Sequence, residues 1–159
     1  WLASMECATV AEAGGVKNLV YSLFTELVNS GKNVTLFIPV YKCTSFSNVC
    51  DYVQNICTQS VNICQKNETV VFSKGRAVKG GFDIVFVNHP SFAEKEAVYT
   101  YTENEQSLNH SHIRGTGHVD TLFLDSLFAK AVSAFAAYVS EDCVPDVIHC
   151  QDASTATIP

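Results

Sequence analysis

The sequence predicts an α/β domain, with helices layered on a mostly parallel sheet. Three observations carry this. A glycine pair, Gly14-Gly15, opens an amphipathic stretch. A glycine ends that stretch, and an apolar run over 33–39 follows it. Two further short apolar runs, 82–87 and 146–150, each lead into polar residues. Strand, turn, helix, glycine and strand in that order make a βαβ unit, whose crossover forces the two strands parallel and right-handed.

The first residues, Trp1 to Ser4, read as the end of a strand. Over 16–30, Val16, Leu19, Val20, Leu23, Phe24, Leu27 and Val28 follow the i, i+3, i+4, i+7 spacing of one helical face. Gly31 serves as the C-cap. Asn33 to Pro39 is β-branched and aromatic, a buried strand stopped by proline. Residues 42–56 are polar and ambiguous. The runs 61–63 and 69–72 flank a hairpin turn over Gln65 to Glu68. After a turn at Lys79-Gly80-Gly81, Phe82 to Val87 forms a buried strand running into Asn88-His89-Pro90. Residues 102–118 lack periodicity and read as a long loop. A helix is expected over 119–139, a break over 142–145 and a last strand over 146–150. Gln151-Asp152-Ala153-Ser154 then leads toward another helix.

The bulk numbers narrow the function. With 47% hydrophobic and 16% charged residues, the chain folds rather than staying disordered. A net charge of -6 with no basic cluster speaks against nucleic acid or an anionic membrane as a partner. No apolar run approaches the roughly 20 residues that span a bilayer. With no basic-then-apolar leader, the expected compartment is the cytoplasm. The 159 residues read as a single domain truncated at both ends. Seven cysteines cannot all pair, and no CxxC is present; small buried or half-buried thiols in a reducing compartment are expected. His110 and His112 share a loop with His118, but no pattern completes a metal site, so none is expected.

Two places could carry chemistry. Gly14 and Gly15 stand at a helix N-terminus, where free N–H groups and the macrodipole favour an anion and a missing Cβ permits close approach. A tight turn explains the same pair. Asp152 follows the last strand, at the sheet edge where ligands gather in open α/β folds, and it could equally cap the next helix. His89 ends another strand.

The order of Glu6-Cys7-Ala8, Gly14-Gly15-Val16, Leu36 to Tyr41, Asn88-His89-Pro90, Pro145 to His149 and Asp152 resembles the N-terminal domain of glycogen and starch synthases. That resemblance implies a Rossmann-like domain, half of a two-domain GT-B fold. It implies transfer of glucose, with retention, from ADP- or UDP-glucose to an α-1,4-glucan. Neither metal nor other cofactor is implied, and the lone fragment would be inactive. It assigns Gly14 and Gly15 to the donor diphosphate and Asp152 to the catalytic position. Asp120 matches the aspartate of the family's Tyr-x-Asp-Asn segment, and His89 is counted with it as substrate-binding. The pattern departs at three places. Glu12 stands where the family has lysine, Lys17-Asn18 replaces a Gly-Asp or Ala-Asp pair, and Gln151-Asp152-Ala153-Ser154 replaces His-Asp-Trp-His. An alternative is therefore a degenerate module that binds glucan or serves as a scaffold. An unrelated nucleotide-binding α/β enzyme is the third reading.

Overall fold

A computed structural model describes residues 1–158. Six strands form one sheet in the order β3-β4-β5-β2-β1-β6. Strands β1 (Leu2–Ala3), β2 (Thr35–Pro39), β5 (Asp83–Asn88) and β6 (His149–Cys150) are mutually parallel. Strands β3 (Val49–Ile63) and β4 (Lys66–Ala77) form an antiparallel hairpin beside β5. Helices are α1 (Val16–Asn29), α2 (Pro90–Ala93), α3 (Glu103–Leu108) and α4 (Thr121–Tyr138). This is the α/β, mostly parallel, Rossmann-like arrangement that the sequence predicts.

Each predicted βαβ element forms for the expected reason. In β2, Leu36, Phe37 and Ile38 are all fully buried. Successive residues of a strand face opposite sides, so both faces of the sheet are covered. Phe37 meets Phe135 of α4 edge-on at 5.3 Å, and the tilted ring of Trp1 packs against both, at 4.7 and 5.8 Å. Helix α1 turns Val20 and Phe24 inward, and Phe24 packs on Phe82 at 5.0 Å. Gly31, with φ +76°, closes α1: its N–H donates to Val28 O and that of Lys32 to Leu27 O. A side chain there would strain the left-handed backbone.

The structure corrects or refines five expectations. The hairpin turn lies at Cys64-Gln65, not at 65–68, because Ile63 pairs with Lys66 and Asn62 with Asn67. Both turn residues have positive φ, 50° and 66°, the two-residue geometry that fits the twist of a hairpin but normally selects Asn-Gly. The ambiguous stretch 42–56 enters a strand from Val49 on, with two register shifts, where Asp51 and Asn55 also have positive φ. Those bulges break the alternation that would have marked a strand. The 102–118 segment is not a bare loop. Thr102 and Glu105 form a reciprocal capping box that starts α3, and Thr100 bridges Gly117. The last strand is shorter than 146–150, and the residues after it form a 3-10 turn, Ala153–Thr155, opened by Asp152. All seven cysteines are free; Cys7 and Cys57 are buried and Cys150 half-buried, but Cys43, Cys50, Cys64 and Cys143 are exposed, against the expectation of covered thiols.

Candidate functional site

The parallel strands all end at one edge of the sheet, and the candidate residues follow those ends. Glu6 comes after β1, Tyr41 after β2, His89 after β5 and Asp152 after β6. A parallel sheet delivers every strand's carboxyl end to the same side, which is why residues distant in sequence meet there.

Gly14 and Gly15 lie at the N-terminus of α1, with Gly15 as its N-cap. The buried carboxylate of Glu6 reaches this turn. Its Oε2 accepts from Gly14 N at 2.6 Å and from Ala13 N at 3.0 Å. A Cβ on Gly14 would lie 3.2 Å from Glu6 Oε1, a tight contact that would press on the carboxylate. Around Gly15 the space is open. The N–H groups of Gly15, Val16 and Lys17 have no acceptor within the chain, as expected at the first turn of a helix. Glu12 stands just before the turn. Its Oε1 accepts from Thr9 N and its Oε2 holds Lys17 Nζ, both at 2.8 Å. The Lys17 hydrogen bond, then that from Thr9, holds the Glu12 carboxyl below the usual carboxylate range.

Asp152 is exposed, with φ 70° and ψ 172°, a conformation that favours glycine. Its Oδ1 accepts from Ala153 N at 2.7 Å, so the capping reading holds in this state. The half-buried Tyr99 feels the charge at both places. Burial, and then the charges of Glu6 and Asp152, push its phenol well above the usual range. Asp125 of α4 stands near the same phenol. Its carboxyl is raised by burial and opposed by a hydrogen bond from Ser154. The buried Tyr41 hydroxyl has no hydrogen-bond partner within the chain.

His89 and Asp120 are engaged elsewhere on this edge. His89 caps α2: its Nδ1 accepts from Ser91 N at 3.2 Å and its Nε2 faces Glu68 Oε2 at 3.3 Å. With Val40, Thr69, Val71, Asn88, Pro90 and Ala93 it lines an open cleft of about 310 Å³. Asp120 precedes α4, and its Oδ2 holds the buried Lys95 Nζ at 2.8 Å. Its Oδ1 is buried without a partner.

So the fold sets Glu6 into the Gly14 turn and places Asp152 at the same carboxyl edge, after the neighbouring strand. It ties His89 to Glu68, and Asp120 to Lys95. Sequence reasoning missed Glu6, Tyr99 and Asp125 as members of this edge. Glu6 alone carried a signal, since a carboxylate directly after an apolar strand must find donors once buried. Its donors are seven and eight residues onward, a distance no local pattern fixes. Among the described residues, no group of three or more His, Cys, Asp or Glu is placed to hold a metal ion.

Residues 1–159 match the family of starch synthase catalytic domains over their whole length. The chain is 30% identical over 167 aligned positions to a glycogen synthase of Thermodesulfovibrio yellowstonii, covering 99% of this chain and 31% of that protein. It is 24% identical over 157 positions to a glycogen synthase of Koribacter versatilis, covering 99% and 28%. It thus spans less than a third of these relatives. Its fold is similar to the catalytic domain of starch synthase IV from Arabidopsis thaliana bound to ADP and acarbose. The TM-score is 0.78 at 24% identity, over 99% of this chain and 28% of the other.

Proposed function

The chain belongs to the starch synthase catalytic domain family, and from that premise we propose that it is the N-terminal part of a glucosyltransferase. In this reading the full-length protein moves glucose from ADP- or UDP-glucose to the end of an α-1,4-glucan with retention, without metal or other cofactor, in the cytoplasm. Residues 1–159 alone have no turnover, because they provide one wall of the cleft.

One observation carries the reading. The Gly14-Gly15 turn, gripped by Glu6 just after β1, and Asp152, just after the neighbouring parallel strand β6, lie at the same carboxyl edge of the sheet. Such an edge is where open α/β sheets hold their ligands. The donor's departing diphosphate develops charge, and donors fixed beforehand stabilise it without reorganising. The free amides of Gly15, Val16 and Lys17 are donors of that kind. Asp152 is the catalytic candidate, beside the transferred sugar, with Oδ1 held by Ala153 N. His89 borders the 310 Å³ cleft and Asp120 precedes α4; both are assigned to substrate from the family resemblance.

A second reading is a glucan-binding or scaffold module that has lost transfer. It is favoured by the Glu12–Lys17 pair, which leaves no unpaired cation beside the glycine turn. Glucose incorporation separates the two. The full-length protein is given ADP-glucose or UDP-glucose with glycogen, and the anomeric configuration of the product is read by NMR. Incorporation as an α-linkage supports the transferase. Glycogen binding without incorporation from either donor supports the module and defeats the transferase.

A further inference from the structure

A buried carboxylate already occupies part of the amide cluster at the start of α1. Glu6 is 1% exposed, and burying a charge is unfavourable unless hydrogen bonds compensate it. Here the compensation comes from Ala13 N at 3.0 Å and Gly14 N at 2.6 Å. The Ser4 hydroxyl donates to the carbonyl of Glu6 at 2.7 Å and also accepts from its N–H, so the backbone that carries the carboxylate is fixed too. Gly14 packs closely against Oε1, where a Cβ would sit only 3.2 Å away. Thus β1 is coupled to the turn by a rigid contact, and the turn cannot shift without leaving a buried anion unsatisfied.

Gly15, one residue on, shows the opposite. It has open space around it and an N–H without an acceptor. The turn is therefore divided into an inner half filled by Glu6 and an outer half that faces solvent. We infer that Glu6 is a positioning residue: by taking the inner amides it holds those of Gly15, Val16 and Lys17 in the geometry that receives the anionic group of the nucleotide donor. This rests on the donor reading above. Its negative charge opposes the same anion, so geometry and charge act in opposite directions, and different substitutions separate them. Glu6→Ala removes both. Glu6→Gln keeps an oxygen acceptor of the same reach and removes only the charge.

The test uses the full-length protein, with ADP as the probe, and reads two quantities. Calorimetry gives the Kd for ADP, and hydrogen exchange of the peptide spanning 12–17 reports the order of the turn. Glu6→Ala is expected to speed exchange at Ala13 and Gly14 and to weaken ADP about tenfold, the scale of losing one charge-assisted hydrogen bond. Glu6→Gln is expected to restore slow exchange and to bind ADP at least as tightly as the wild type. A Glu6→Ala protein with ordered exchange, or with faster exchange and unchanged ADP affinity, overturns the inference and leaves the donor reading intact. Glu6→Gln weakening ADP as much as Glu6→Ala also overturns it, since charge and not position would then be needed. A wild-type protein that does not bind ADP overturns the donor reading, and this inference with it.

Discussion

The carboxylate of Glu12 holds the ammonium of Lys17 at 2.8 Å, across the glycine turn that opens α1. The sequence suggested an anion where related proteins have a lysine, and a second lysine inside the helix. The fold makes them one neutral pair. Because Glu12 also accepts from Thr9 N, whose own φ is 70°, the pair stiffens the segment leading into the turn.

Freeing Lys17 should therefore favour an anion at this turn. In the full-length protein, Glu12→Gln is expected to tighten ADP about three- to tenfold, an effect of roughly 1 kcal/mol that shrinks as salt is added. Titration of ADP at low and high ionic strength checks it. Equal affinity of variant and wild type at low salt would show that Lys17 does not face the diphosphate.

Lys95 is buried between Asp120 at 2.8 Å and Glu94 at 3.0 Å. Lys95→Met keeps the stem but strands Asp120, one of whose oxygens already lacks a partner. A loss of about 2–3 kcal/mol is expected, less than for a wholly buried pair because the Asp120 side chain is 29% exposed. Urea unfolding measures it, and Lys95→Met combined with Asp120→Leu should recover part of the loss. No recovery would mean that the lysine acts through packing alone.

Glu96 clasps the segment around α3, accepting from Lys42 Nζ and Asn104 Nδ2 at 2.6 Å and from Thr102 Oγ1 at 2.7 Å. The Lys42 contact, then those of Thr102 and Asn104, hold its carboxyl down at about 2. A depressed acid stabilises the fold above its ordinary value of 4.5, and that contribution fades as pH falls toward 2. Proteolysis within 96–118 should therefore accelerate between pH 4.5 and 2, with the remaining fold intact. In Glu96→Gln the segment should be cut more readily at neutral pH, with a flatter dependence over this range. A wild-type cleavage rate that does not change in that window would contradict the clasp.

Much of the layered fold is written locally. The heptad-like spacing from Val16 to Val28 makes α1, Gly31 ends it, and the uninterrupted apolar runs of β2 and β5 require cover on both faces. Such signals depend on residues within one or two turns of each other, so a single chain displays them. The Thr102-x-x-Glu105 capping box was equally local, and its start signal lay unread within a polar stretch. The Cys64-Gln65 turn was not legible, since tertiary pairing of β3 with β4 imposes a backbone geometry that neither residue prefers.

By itself, the sequence determined the βαβ grammar, the glycine turn at the head of α1 and the placing of Asp152 after the last strand. Only the tertiary structure decided the charges around them. It set Glu6 into the amides of Ala13 and Gly14, matched Glu12 with Lys17 and sent Asp120 to Lys95. Helical and strand periodicity is a short-range property of the chain. Electrostatic pairing depends on which strand ends the sheet collects at one edge, and on what burial then forces each charge to find.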